Sequence, residues 1–153
     1  INENFMIIAR VEALIAGLGV NEAKKRADAY EKAGADAILI HSKKNNPDEI
    51  FEFCDTWNGS IPIIAIPTSY PNVTLDELQN HKVKMVIYAN QSLRASHWAM
   101  AEHLRKLSTA KSLSDVETKM TTMEDIFHLQ EMYEIKKQEI DIEKNLKKLG
   151  YIN

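Results

Sequence analysis

Four places along the chain put polar side chains directly after a short apolar run: Arg10 with Glu12, His41 with Ser42, Thr68 with Ser69, and Asn90. An arginine so placed offers a planar fork of N–H donors that matches a pair of carboxylate or phosphoryl oxygens. A neighbouring histidine adds a donor that titrates near neutral pH. Together they suit a small dianion. Each of these residues also has a plainer use. Arg10 can form an ordinary solvated ion pair with Glu12. Thr68 and Ser69, between Pro67 and Pro71, read as turn residues whose hydroxyls bond the local backbone, and Asn90 reads as a turn residue too. Gly17 and Gly19 lack the spacing of a dinucleotide or phosphate-loop fingerprint and are expected to form a flexible turn before a helix. His97 and His128 are expected on helix faces, and His81 and His103 at the surface or in packing. Trp57 and Trp98 read as core or interface aromatics.

The elements that must position these residues follow from the hydrophobic pattern. Apolar runs at Phe5–Ala9, Ala37–Ile40, Ile61–Ile66 and Val83–Ala89 are too continuous for strands with one wet face and fit strands of a parallel sheet. Helical patterns alternate with them, as in βαβ units. The spacing predicts helices over Asn21–Ala33 with Gly34 as its stop, from Pro47 with Ile50, Phe51 and Cys54 buried, and over Thr74–Leu78 with the Thr74 hydroxyl as cap. A longer amphipathic helix is expected over Ser92–Leu107, with Leu93, Ala99, Met100, His103 and Leu107 on one side. The polar stretch Lys111–Lys119 reads as a linker, and Thr122–Leu149 as one helical tail that packs on a partner or frays. Residues 1–110 thus form one βα region and residues 111–153 a linker with a helical extension. In such folds the site lies past the C-terminal ends of the strands, where the loops converge.

Composition narrows the partners. At 153 residues, 44% hydrophobic and 27% charged, the chain has enough apolar material for one ordinary domain. A net charge of -3 gives no basic footprint for nucleic acid. Neither a membrane span nor a signal peptide is evident, and the single Cys54 allows no internal disulfide or zinc spacing, so the cytoplasm is expected. The opening residue is not Met and a strand begins almost at once, so upstream sequence is expected.

Four segments carry a resemblance: ARVEALIAG at Ala9–Gly17, YEKAGADAILIHSKK at Tyr30–Lys44, IPTSY at Ile66–Tyr70, and VIYANQSLRA at Val86–Ala95. In order and spacing they resemble the mutase branch of the isocitrate lyase and phosphoenolpyruvate mutase superfamily from its fifth strand onward, through about Leu107. The resemblance implies an α/β fold, the second half of a (β/α)8 TIM-type barrel (strands five to eight with their helices) plus C-terminal helices. It implies that Arg10 and His41 are the catalytic, substrate-binding pair on the phosphoryl and carboxylate oxygens of phosphoenolpyruvate or phosphonopyruvate. Glu12 and Ser42 would stand behind them. It further implies Mg²⁺, with no metal ligands in this chain, because the acidic ligands and the gating loop come from the N-terminal half of the barrel. That half is an implied partner, and a homo-oligomer built through the C-terminal helices is another.

The activity so implied is interconversion of phosphoenolpyruvate and phosphonopyruvate, an isomerase reaction of phosphonate biosynthesis, with this chain inactive by itself. A phosphonopyruvate hydrolase fits the same segments nearly as well, although His41-Ser42-Lys43-Lys44 favours the mutase. A small doubly wound, non-catalytic anion-binding module and a purely structural fragment are the readings of another class.

Overall fold

The computed structural model describes residues 5–117 and 120–152. Residues 1–4, which open the sequence, and Thr118 and Lys119 of the expected linker lie outside the described residues. Four strands, β1 (Ile8–Val11), β2 (Ala37–Ile40), β3 (Ile63–Ala65) and β4 (Val83–Val86), form one parallel sheet in the order β1-β2-β3-β4. Helices α1 (Gly19–Lys32), α2 (Asp48–Thr56) and α3 (Leu75–Asn80) make the connections between successive strands. Then come α4 (Gln91–Leu107), α5 (Ser114–Glu117), α6 (Met123–Leu129) and α7 (Met132–Lys148). The chain divides into two compact units, Ile1–Ala95 and Ser96–Asn153.

In the first unit the alternation of side chains sorts the strands into two apolar layers. Val11, Ile38, Ile40, Ile63, Ala65 and Val83 face the helices, where they pack with Ala23, Ala27, Ile50, Phe53, Trp57 and Leu78. The opposite face carries a smaller cluster of Ala37, Leu39, Ile64 and Ile66. One rung of that face runs across the whole sheet as Arg10, Leu39, Ile64 and Met85. The guanidinium-bearing residue therefore sits at one sheet edge, on the side away from the helices.

Several expected boundaries move, each for a hydrogen-bonding reason. The first strand is Ile8–Val11, not Phe5–Ala9, because pairing starts where the neighbour starts: the Ile7 carbonyl accepts from Asp36 and Ala37, while Ile7 N–H donates to the Asp36 carboxylate at 2.7 Å. Arg10 is consequently inside the strand and Glu12 is the residue just after it. The third strand shortens to Ile63–Ala65, since Pro67 brings no N–H and opens a tight 3₁₀ turn, Pro67–Ser69. With its neighbour finished, the fourth ends at Val86 rather than Ala89, apart from one last bond from Ile87 N–H to the Ala65 carbonyl at 2.9 Å.

Among the helices, α2 buries Ile50, Phe53 and Cys54. Phe51, expected in that stripe, is only partly buried: it packs against the same core and stacks on the His81 ring at 3.8 Å, and His81 Nδ1 pairs with Asp55 at 2.9 Å. Thr74 caps α3 in a reciprocal box: its hydroxyl accepts from Glu77 N–H, and the Glu77 carboxylate accepts from Thr74 N–H at 2.8 Å. Trp57 Nε1 donates to Asp28 at 2.7 Å, tying the end of α2 to α1.

In the second unit the expected linker contains the short helix α5, held by the buried Val116. The tail is two helices rather than one, broken where Glu131 takes a left-handed φ of 53°. Among the described residues of this unit, Val116 alone is buried. Leu104, Ile135, Ile140 and Ile142 are exposed. No helix among the described residues is long and apolar enough to cross a membrane.

Candidate active site

The strand ends are built by the sheet's own register. Arg10 lies opposite Leu39, and continuing both strands brings Glu12 beside His41. Alternation puts Arg10, Glu12 and His41 on the face away from the helices. The Arg10 Nε donates to the Glu12 carboxylate, and both side chains are about half exposed, 48% and 45%. His41 feels both charges. Burial holds its imidazole below the ordinary value of 6.5, the Arg10 charge pushes the same way, and Glu12 pulls it back up. The neutral ring therefore predominates at pH 7, with a cation on one side.

Ser42 is fully buried and turned to other work. Its hydroxyl donates to the Glu49 carboxylate and accepts from Lys44 N–H at 3.0 Å, while Lys44 Nζ pairs with Glu49 at 2.7 Å. These bonds fasten the loop that follows His41 to the first turn of α2, so the imidazole stands on an anchored backbone.

Past β3 and β4 are two residues that sequence reasoning assigned to turns. The Thr68 hydroxyl, expected to bond the local backbone, is buried with no hydrogen-bond partner among the described residues. The Asn90 backbone does start α4, its carbonyl accepting from Arg94 N–H at 3.0 Å, yet its side-chain oxygen is buried and unpartnered as well. His41 Nδ1 shares that condition. A fourth such atom, the Tyr70 hydroxyl, belongs instead to the helix-side core, where burial and the neighbouring Cys54 push it up to about 12. Leaving a buried polar group unpaired costs about 1–3 kcal/mol, and folded proteins hold few of them. Three such groups at the ends of three successive strands form a pattern that packing does not explain. The signal in the sequence was position alone: a polar residue just past an apolar run.

The described residues do not fit a metal on their own. No group of three His, Cys, Asp or Glu side chains comes together among them, and the Glu12 carboxylate is engaged by Arg10. Magnesium takes oxygen ligands in a strict octahedron and one shared carboxylate does not supply that.

A parallel sheet with polar, unpaired side chains gathered past its strand ends is the architecture of (β/α) enzymes. Residues 1–108 match the phosphoenolpyruvate phosphomutase family, and the chain belongs to it. It is 46% identical over 133 residues to the phosphoenolpyruvate phosphomutase of Tetrahymena pyriformis, covering 87% of this chain and 44% of that protein. It is 44% identical over 130 residues to the phosphonopyruvate hydrolase of Variovorax sp., covering 84% of this chain and 45% of that protein. A crystal structure of phosphonopyruvate hydrolase complexed with oxalate and Mg²⁺ superimposes with a TM-score of 0.84 at 40% identity, over 92% of this chain and 50% of that one. The chain thus spans about half the length of the relatives it matches. Its sheet and helices are half of the TIM-type barrel of that family.

Proposed function

We propose that this chain forms the phosphoryl-holding side of the active site of a phosphoenolpyruvate mutase, which interconverts phosphoenolpyruvate and phosphonopyruvate. The observation that carries the reading is the set of unpaired buried polar atoms at the ends of β2, β3 and β4, the first of them, on His41, lying within reach of the Arg10 charge. In this role Arg10 and His41 are the catalytic residues. Arg10 grips two phosphoryl oxygens, and His41 donates to a third or takes up a proton as negative charge arrives. Glu12 orients the guanidinium. Ser42 holds the loop beneath the imidazole. A migrating phosphoryl group spreads charge over its equatorial oxygens, and fixed donors there lower its barrier. Mg²⁺, present in the hydrolase complex, would polarise the pyruvyl end, but its ligands would have to come from outside these residues.

The remaining partners belong to the same proposal. The N-terminal half of the barrel would pair with the two sheet edges, β1 and β4, where Phe5, Met6, Met85 and Tyr88 are exposed. Residues 1–110 are then the barrel half. Residues 111–153 form a helical extension whose exposed Ile135, Ile140 and Ile142 suit contacts in a homo-oligomer. A reducing compartment, the cytoplasm, suits a chain whose one cysteine is a buried thiol pushed up to about 12.

A phosphonopyruvate hydrolase is the second reading, favoured by a relative of nearly equal identity. Incubating the full-length protein with phosphonopyruvate and Mg²⁺ separates the two. Phosphoenolpyruvate as product supports the mutase, pyruvate plus phosphate supports the hydrolase, and no reaction removes both.

A further inference from the structure

The polar groups at the strand ends are unequal in charge. The only formal cation among them is Arg10 on β1, with the titratable His41 next to it just past β2. Beyond β3 and β4 stand Thr68 and Asn90, which are neutral at every ordinary pH. Each contributes one atom that the fold buries and leaves without a partner among the described residues. Neither side chain is spent on its turn. Thr68 lies in a 3₁₀ turn closed by backbone, Tyr70 N–H to the Pro67 carbonyl at 3.2 Å, and Asn90 starts α4 through its main chain.

We propose that Thr68 and Asn90 are substrate-contacting residues. They form an uncharged arm that holds the carbonyl and carboxylate end of the ligand, while Arg10 and His41 hold the dianionic end. The inference rests on reading the strand ends as a small-anion site. The chemistry fits the charge. A doubly ionised group is held best by a guanidinium fork, whereas a ketone or a singly charged carboxylate needs only directed neutral donors. The Thr68 hydroxyl can donate one bond. The Asn90 amide presents either its oxygen or its N–H₂ by a half-turn of the side chain, so it can meet a carbonyl oxygen or a protonated one. Strand order then sets the polarity of the bound substrate, phosphoryl over β1 and β2 and pyruvyl toward β3 and β4.

A site residue and a packing residue differ here in the sign of their effect on stability. Deleting a buried, unpaired hydroxyl with an isosteric group is neutral or stabilising, while deleting a satisfied one destabilises. In the full-length protein, Thr68→Val and Asn90→Leu are compared with wild type in Mg²⁺ buffer by thermal melting, by calorimetric binding of oxalate, and by binding of orthophosphate. The expected result is a ligand-free melting temperature equal to or above wild type, at least tenfold weaker oxalate binding, and orthophosphate binding within twofold. Arg10→Ala is expected to invert the pattern, losing orthophosphate more than oxalate. Thr68→Ser, which keeps the hydroxyl, is expected to restore oxalate binding, so a folding defect in the valine variant would not hide the answer.

Lowered melting temperatures with unchanged oxalate affinity would overturn the proposal, as these atoms would then be satisfied by protein. Equal losses of oxalate and orthophosphate would overturn the assigned polarity. A wild-type protein that binds neither anion would overturn it entirely. Failure to turn over phosphonopyruvate, with the binding pattern intact, would remove the proposed reaction and leave this assignment standing.

Discussion

At the scale of single residues, His41 couples charge to ligand. Its ring is held below 6.5 first by burial and then by the Arg10 charge, against the pull of Glu12. A histidine whose folded value is depressed costs stability where it must be protonated. That penalty is full below the folded value and is relieved as pH rises through the unfolded value near 6.5. Acidification below about 6.5 should therefore destabilise the wild type more than a His41→Asn variant, measured as the difference in melting temperature between pH 7.5 and pH 5.5. Equal acid sensitivity in the two would show that the ring does not titrate as described. An incoming anion acts in the opposite sense and favours the charged imidazole. Binding of phosphonopyruvate at pH 7 should take up protons in wild type, seen by calorimetry in buffers of different ionisation enthalpy, and take up fewer in His41→Asn. For Arg10→Ala, loss of a charge-assisted pair worth about 1.5–3 kcal/mol should weaken kcat/KM about ten- to a hundredfold or more. Unchanged kinetics would return Arg10 to a surface pair with Glu12. That Arg10 and His41 come together at neighbouring strand ends was legible, because the apolar runs before them fix their place. The burial of an unpaired atom on Thr68 and on Asn90 was not, because Thr and Asn next to Pro or before a helix usually serve turns, and only the fold shows what their side chains meet.

At the scale of elements, local chemistry was readable where it acts within a few residues. The Thr74–Glu77 box, the four strands and α1 to α4 all follow from patterns of short range. Thr74→Ala should cost about 1 kcal/mol by denaturant titration, as for other helix caps. Phe53→Ala should cost about 3–5 kcal/mol, since Phe53 is fully buried between α2 and the sheet. A Phe51→Ala change should cost clearly less, its ring being stacked on the half-exposed His81. The reverse order of these two would contradict the packing. Gly59 is fixed by contact rather than by backbone angle: any β-carbon there would run into the Trp57 ring and the Glu31 carboxylate. Gly59→Ala should therefore disturb the Trp57–Asp28 bond and shift tryptophan fluorescence. What was not legible is where strands stop. Phe5–Ile7 and Ile87–Ala89 are as apolar as their neighbours, and only the register of the adjacent strand decides that the ladders do not run on through them, beyond the last bonds at Ile7 and Ile87. The break at Glu131 left no trace either, since Glu is a good helix former and its left-handed φ is imposed by the fold.

At the scale of the whole molecule, the sheet has no strand paired beyond β1 or β4 among the described residues, and Met6 and Met85 along those edges are exposed. Unpaired edges template association with other strands. Residues 1–153 produced alone should run above monomer mass in light scattering, or stay in solution only with a complementary half. Without that half they should not turn over phosphonopyruvate at high Mg²⁺, since the described residues lack a metal-holding cluster. A soluble, active monomer would instead make this a self-contained domain.

The strand order has a consequence for how the chain comes into being. Each strand of β1-β2-β3-β4 lies against the one made just before it, across a single helix-bearing connection. Pairing each strand with the next in sequence keeps the loop to be closed shorter than pairing with a distant one. Nothing in the sheet waits for a distant segment to arrive. The polypeptide can lay down its structure in the order in which the ribosome releases it, one βα unit after another, with each new strand finding a finished edge to join.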